Sequence, residues 1–203
     1  MTRDLNALAD RFLPHWLCPD WLGQDEADGL LGYADANQHS FKPSEVRRRE
    51  GGSVDREKRE SLRLGDLGPF AYSLHERAEA VLPELCRRLG IAPFRPRRLE
   101  IELVAHGDGA FFARHIDTIG HGGVSPSLRR VTAIAYLHRR PKVFSGGALR
   151  YYTLNAERHM DIDPEHRSLL SFPSFAPHSV GRVSVPSREF GDSRFAVDMW
   201  FHG

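Results

Sequence analysis

Three pairs in this sequence place a carboxylate two residues after a histidine: His106/Asp108, His115/Asp117 and His159/Asp161. Such a pair offers one metal ion an imidazole nitrogen and a carboxylate oxygen, provided both side chains leave the backbone on the same side. With 11 histidines and 27 acidic residues, about one or two such pairs arise by chance, so spacing alone selects none of them. Local pattern does. Residues i and i+2 of a strand point to one face, and "AFFARHIDT" puts His115 and Asp117 at the end of an aromatic strand with Ile116 facing the other way. Asp108 lies in "HGDG", a turn sequence, and "NAERHMDIDPEH", around His159 and Asp161, reads as a polar loop.

A third ligand is available in His178, which opens the strand-like run "HSVGRVSV" after "SFPSFAP". Two histidines and one carboxylate occupy one face of an octahedral ion and leave three positions open, an arrangement suited to non-haem Fe(II) that must bind a co-substrate and O2 together. A co-substrate such as 2-oxoglutarate would chelate the ion through its keto acid and leave a distal carboxylate inside the protein. A buried carboxylate needs a charged partner, and the guanidinium fork matches its two oxygens. Arg194 in "RFAVDMWFHG" fits: alternation puts Arg194, Ala196, Asp198 and Trp200 on one face and Phe195, Val197, Met199 and Phe201 on the other. Arg188 follows His178 more closely but sits in "PSREFGDS", a loop where an arginine is expected to be solvated.

These residues need a scaffold. From residue 97 onward the runs 97–106, 110–116, 129–138, 147–153, 167–172, 178–185 and 194–202 are rich in β-branched and aromatic residues, alternate with period two and are punctuated by Gly, Pro, Ser and Asp. Seven such runs predict a sandwich or jelly roll. Before them, residues 24–36 carry acids in a first helical turn and Leu30, Leu31 and Ala34 on one side. Residues 68–90 read as the strongest helix, with Pro69 at the start, Leu74, Ala78, Leu82, Leu85 and Leu89 in phase, and Gly90 as the stop. Pro83 is expected to kink or break it. Between the helices, residues 42–64 carry charge of both signs around a Gly-Gly centre and predict a mobile loop flanked by short strands.

Composition narrows the function. The chain has 203 residues, 40% hydrophobic and 27% charged, with a formal net charge of +1. That gives one domain with a real core and no bias toward nucleic acid or a membrane surface. No apolar run spans a bilayer, and "MTRDLNALADRFLPHW" has no apolar signal core, so a cytoplasmic protein is expected. Cys18 and Cys86 are the only cysteines, expected as two buried thiols in a reducing compartment.

Taken in order, "GDGAFFARHIDT", "RRVTAIAYLH", "FSGGALRYY", "LLSFPSFAPHSV" and "RFAVDMWF" resemble the Fe(II)/2-oxoglutarate-dependent dioxygenases, in particular the prolyl 4-hydroxylase-like branch, from about residue 95 to the C-terminus. The resemblance implies a mainly β fold, a double-stranded β-helix of the jelly-roll or cupin kind with N-terminal helices on one face. It divides a single domain, 1–203, into helical support and a lid loop (1–95) and a catalytic β-helix core (96–203). It implies Fe(II) on His115, Asp117 and His178, with O2 and 2-oxoglutarate as co-substrates and ascorbate as a stimulant. It puts Arg194 and Tyr136 on the distal carboxylate and Thr132 and Leu149 in the co-substrate pocket, with His106 standing where relatives often carry a pocket tyrosine. It also implies oxidative decarboxylation to succinate and CO2 with hydroxylation of an unactivated C–H. A carboxylate at Asp117, where a halogenase leaves room for halide, points to hydroxylation. The substrate is expected to be a small molecule, a free or carrier-bound amino acid or a peptide, with Arg59, Arg114 and Trp200 as candidate contacts and Arg47, Arg48, Arg49, Arg56 and Arg63 as further lid cations. The alternatives are a non-catalytic or other-metal cupin-like β-barrel binding protein.

Overall fold

The period-two alternation of "RFAVDMWFH" sets the architecture, because this strand runs through the middle of the larger sheet and its two faces meet different surroundings. The structure, a computed structural model, describes residues 9–48, 51–118 and 128–203. Its first strands are β1 (Trp16–Cys18), β2 (Lys42–Pro43), β3 (Val46–Arg48), β4 (Gly51–Ser53), β5 (Arg59–Glu60) and β6 (Leu62–Leu64). The central ones are β7 (Arg98–His106), β8 (Phe111–His115), β9 (Arg129–Leu137), β10 (Ser145–Gly146) and β11 (Leu149–Tyr152). The last are β12 (His159–Ile162), β13 (Leu169–Pro173), β14 (His178–Val180), β15 (Val183–Ser184) and β16 (Arg194–His202).

Seven strands form a major sheet in the order β1-β13-β9-β16-β7-β6-β2, and five form a minor sheet in the order β12-β11-β14-β8-β5. Their pairings are antiparallel. Ile134, Tyr136, Phe172 and Ala196 from the major sheet pack with Leu149 and Tyr151 from the minor one, so the two sheets face each other across a shared interior. This is the double-stranded β-helix expected from the sequence.

The outer face of the major sheet is covered by α1 (Gln24–Ala36) and α2 (Ala71–Leu89). Ala27, Leu30, Leu31 and Ala34 of α1 and Leu74, Leu82 and Leu85 of α2 join one cluster with Val131, Ala133 and Ala135 of β9 and Phe195, Val197, Met199 and Phe201 of β16. The four β16 residues are at most 1% exposed, and full burial of each such side chain is worth about 1.5–3 kcal/mol. Gly90 stops α2 in the left-handed conformation, φ 66°, as its position predicts. Pro83 does not break the helix as expected. It sits on the exposed side, where water can bond the carbonyl that loses its partner, while Leu82 and Leu85 bury the opposite side.

Three further expectations are corrected. Residues 159–162 form β12 against β11, not a loop. The run 178–185 divides at Gly181 and Arg182 into β14, in the minor sheet, and β15, paired with β10. The charged segment 42–64 is more ordered than a loop: β2 and β6 extend the major sheet, β5 extends the minor sheet and β3 pairs with β4. Arg49 lies outside the described residues. Both cysteines are free; Cys86 is buried, as expected, and Cys18 only half-buried. No described helix is long and apolar enough to cross a membrane.

Candidate metal and co-substrate site

His115 closes β8 and His178 opens β14, and the two are register partners in adjacent antiparallel strands. The pairing brings their rings to 4.2 Å between centroids. Each Nδ1 lies 2.9 Å from the carbonyl oxygen two residues earlier, Ala113 for His115 and Ala176 for His178. A carbonyl only accepts, so Nδ1 carries the proton in the neutral ring and the Nε2 lone pair is left for an ion. Both Nε2 atoms point at Asp117: His115 to Oδ1 at 3.5 Å and His178 to Oδ2 at 3.7 Å. The three ligand atoms lie within 4.8 Å of one another, close enough to converge on one cation.

Asp117 gets there differently from what alternation suggests. β8 ends at His115, and Asp117 lies in the bend beyond it. Its backbone N–H donates to the Ser174 carbonyl at 2.8 Å, as does that of Thr118 at 3.0 Å. The Thr132 hydroxyl donates to Asp117 Oδ2 at 2.8 Å and shares a 2.9 Å contact with Ser174 Oγ. Ile116 faces outward, 48% exposed, as expected. Burial, followed by the charge on His115, lowers the pKa of His178 to about 4, so the ring is neutral at pH 7. Burial opposes ionisation of Asp117, but the positive charges of His178, His115 and Arg129 outweigh it and hold the carboxyl well below the usual range. Above about pH 4, with His178 neutral, the Arg129 charge and the Thr132 hydroxyl remain to hold the carboxylate ionised. A neutral imidazole and an ionised carboxylate are the forms that ligate a cation.

The other end of the site is built on β16 and β7. Arg194, 1% exposed, lies opposite His106 in the ladder. Its Nη1 donates to His106 Nδ1 at 3.3 Å, and its guanidinium sits 4.9 Å from the Tyr136 ring centroid. Because a guanidinium only donates, His106 Nδ1 is the acceptor and its proton resides on Nε2. Burial, with the charges of Arg194 and Arg59, puts the His106 pKa far below its ordinary value and keeps the ring neutral. Burial likewise pushes Tyr136 up to about 12, so its hydroxyl stays protonated. Gly147 makes room for the arginine: at φ 72° its missing Cβ would lie 2.8 Å from Arg194 Cδ.

Among the described residues, four buried donors have no hydrogen-bond acceptor: Arg194 Nε and Nη2, His106 Nε2 and the Tyr136 hydroxyl. Each such group costs about 1–3 kcal/mol when unsatisfied, so the cluster asks for a ligand rich in acceptors. A carboxylate satisfies it, and a guanidinium is the partner that neutralises one. The residues therefore fit a divalent cation at one end and a dicarboxylate oxo acid reaching toward Arg194 at the other. His106, Thr132, Leu149, Arg59 and Trp200 line the cavity of about 190 Å³ between the two ends, together with the triad and Arg194. Tyr136 stands behind Arg194. Arg114 is not brought to the cavity. It alternates with His115 onto the exposed side of β8, over the Tyr152 ring.

The rejected pairs take structural roles. Asp108 accepts from the Val185 N–H at 3.0 Å and pairs with exposed Arg188 at 3.5 Å. His159 and Asp161 share a face of β12, but it is the exposed one, where Asp161 pairs with Arg150. Sequence reasoning missed Ser174, whose carbonyl aims Asp117. It also left Asp198 without a role, although alternation already placed that acid beside Arg194.

The model of the 2OG-Fe(II) oxygenase superfamily matches residues 101–202, half of the chain, and the chain belongs to that superfamily. Fe(II), 2-oxoglutarate and O2 are the cofactor set this membership brings, and the His115, Asp117 and His178 cluster and the donor set around Arg194 suit it. The chain is 36% identical over 135 residues to an uncharacterized PKHD-type hydroxylase of Synechocystis, covering 63% of this chain. It spans 44% of the length of that relative. In fold it is similar to a Pseudomonas putida prolyl-4-hydroxylase, with TM-score 0.64 and 20% identity over 97% of both chains. It is also similar to a Trichoplax adhaerens prolyl hydroxylase solved with a hypoxia inducible factor peptide fragment, with TM-score 0.68 and 22% identity over 97% of this chain and 84% of that one.

Proposed function

We propose that the protein is a Fe(II)- and 2-oxoglutarate-dependent hydroxylase of an unactivated C–H bond in a small molecule, an amino acid or a peptidyl residue, prolyl included, with succinate and CO2 as co-products. The observation that carries this reading is the pairing, in one cavity, of a convergent His-Asp-His set with a buried guanidinium that has two unsatisfied nitrogens. A binding protein that had kept only the fold would have no need of both. A zinc or manganese cupin-like site would leave Arg194 without a reason.

When bound, iron and 2-oxoglutarate supply the oxidising chemistry, coupling decarboxylation of the oxo acid to transfer of oxygen from O2. The chain's own residues do the rest. His115, Asp117 and His178 would hold the ion, a ligand set that suits an iron with positions free for a co-substrate and O2. Arg194 takes the distal carboxylate, and the His106 Nε2–H and the Tyr136 hydroxyl complete its hydrogen bonds. Thr132 fixes Asp117 in place. Residues 96–203 form the catalytic core in this reading, and 1–95 supply the supporting helices and a charged rim over the cavity. Asp117 as a third protein ligand favours hydroxylation over halogenation.

The test is anaerobic addition of Fe(II) and 2-oxoglutarate, watching for the visible charge-transfer band of the chelate, followed by O2 and assay of succinate. A band and O2-dependent succinate are expected; a protein giving neither is a non-catalytic or other-metal barrel. Arg194→Ala should raise the 2-oxoglutarate concentration needed for the band by about 100-fold or more. Arg188→Ala should leave it unchanged, and the reverse pattern would move the co-substrate contact to Arg188.

A further inference from the structure

The cavity contains more charge than iron and 2-oxoglutarate would use, and most of it is already paired. Arg63 reaches Glu45 at 3.4 Å and Glu102 at 3.3 Å. Arg129 pairs with Glu100 at 2.5 Å and lies 4.0 Å over the Trp200 ring. Asp117 belongs to the triad and Arg194 to the donor cluster. Two cavity-lining groups are left, Arg59 and Asp198.

Neither is positioned by accident. Arg59 is 8% exposed in β5. Its Nε donates to Ser61 Oγ at 2.9 Å, Ser61 Oγ is itself braced 2.9 Å from Ser44 Oγ, and the guanidinium stacks 4.6 Å from the Phe112 ring centroid. The Nε end is fixed, and among the described residues no carboxylate lies within ion-pair distance of the Nη end. Asp198 shares the inward face of β16 with Arg194 and Trp200, and among the described residues its carboxylate makes no hydrogen bond or ion pair. Burial raises its pKa to about 6, and the opposing charge that acts on it most strongly is that of Arg59, ahead of Arg194. A carboxylate and a guanidinium held in one cavity, near but not touching, form a receptor for a ligand with a positive and a negative group a few bonds apart.

We propose that Arg59 and Asp198 are the specificity-determining pair for the substrate, and that they select a free α-amino acid over a residue within a peptide. Asp198 takes the ammonium, Arg59 takes the carboxylate, and the side chain of the amino acid turns toward the triad. The inference deepens the hydroxylase reading and rests on it for what happens after binding. The binding itself is separable. A peptidyl residue has neither charge, and it would leave both groups desolvated and unpaired, a strong penalty.

The experiment is a calorimetric titration of the full chain with the common free L-amino acids, each with its N-acetyl and its methyl ester derivative. It is run twice, on protein without metal and on protein loaded anaerobically with Fe(II) and 2-oxoglutarate. At least one free amino acid should bind, at least about tenfold more tightly than either derivative, the loss expected for one charged hydrogen-bonded contact. Asp198→Asn should bring the ratio of free to N-acetyl affinity close to one while keeping the preference over the ester. Arg59→Gln should do the converse. Arg59 is buried, so Arg59→Lys is the second variant, retaining charge and discrimination if the fold tolerates it. Equal binding of the free acid and both of its derivatives, absence of any free amino acid binding in both runs, or unchanged ratios in Asp198→Asn would overturn the pair. If the chelate band and succinate appear while these titrations fail, the inference falls and the hydroxylase reading stands. If amino acids bind with the stated ratios but no band forms, the opposite holds.

Discussion

On the outer face of β16, Phe195, Val197, Met199 and Phe201 pack against two helices with no polar atom to satisfy. One residue out of phase, Arg194, Asp198 and Trp200 line a cavity, and Arg194 Nε and Nη2 and Trp200 Nε1 are buried with no hydrogen-bond partner among the described residues. The same backbone thus borders two interiors of opposite character. The helix-backed side closes every contact within the protein, so its free energy is realised on folding. The cavity side leaves contacts open, so part of its free energy is realised only when a ligand arrives. Substitutions on the two sides should therefore be told apart by ligand binding.

The sharpest break is at the ligands. Asp117→Ala and His178→Ala should each abolish the Fe(II)·2-oxoglutarate band, because two remaining ligands do not define the open face. Without added metal each variant should also unfold below the wild-type urea midpoint at pH 7: Asp117→Ala removes a carboxylate whose lowered pKa marks it as stabilising and leaves Arg129 and Thr132 without it, and His178→Ala opens a cavity beside the Phe172 ring. A midpoint at or above wild type in Asp117→Ala would mean that its ionised carboxylate adds nothing to the fold. On the outer face only stability should suffer. Phe201→Ala removes a fully buried ring and should cost about 3–5 kcal/mol in denaturant unfolding, with 2-oxoglutarate affinity of the folded fraction within about twofold of wild type.

Asp198 probes the open side through pH. Its folded-state pKa is raised from 3.8 to about 6, so between those values the native protein binds more protons than the unfolded chain. Stability contributed by this group is present below about pH 4 and lost as pH rises through about 6, a change of about 3 kcal/mol. Asp198→Asn removes it. Without ligand the variant should be more stable than wild type at pH 7, with the advantage shrinking toward pH 4. A difference independent of pH, measured by paired urea titrations, would mean that Asp198 is charged at no cost in the folded protein.

What could be seen in the sequence follows from which interactions are periodic. Alternation in "RFAVDMWFH" divided its residues into the two faces that the structure shows, one against the helices and one toward the cavity, because the strand buries one face against each interior and a slip of one residue would exchange them. His178 was chosen as the histidine that opens a strand-like run, and Arg194 was placed on its face by the same alternation. Arg114 failed the same rule: next to His115, it had to point away from the cavity. What stayed hidden depends on contacts far apart in the chain. Burial of Arg59 required β5 to join β8, and nothing within "DREKRESLRL" distinguishes that arginine from its solvated neighbours. The polar stretch around His159 paired as β12 because β11 offered an open edge, although its own residues read as loop.

Asp117 is the instructive intermediate case, chosen by strand alternation although it lies past the strand end. Its aim comes from Ser174 and Thr132, residues distant in sequence that meet it through the β13–β9 pairing. That difference is measurable. If alternation aimed the carboxylate, Thr132→Val would be silent, since valine keeps the shape and the backbone is unchanged. If the Thr132 hydroxyl aims it, removing the 2.8 Å bond frees Oδ2 to rotate, and affinity for Fe(II) should fall about 10–100-fold, the usual effect of losing such a partner of a metal ligand. Thr132→Ser keeps the hydroxyl and should recover most of that loss. The readout is the Fe(II) titration of the charge-transfer band at saturating 2-oxoglutarate. Wild-type affinity in Thr132→Val would return the positioning of Asp117 to the backbone bonds from Ser174 alone.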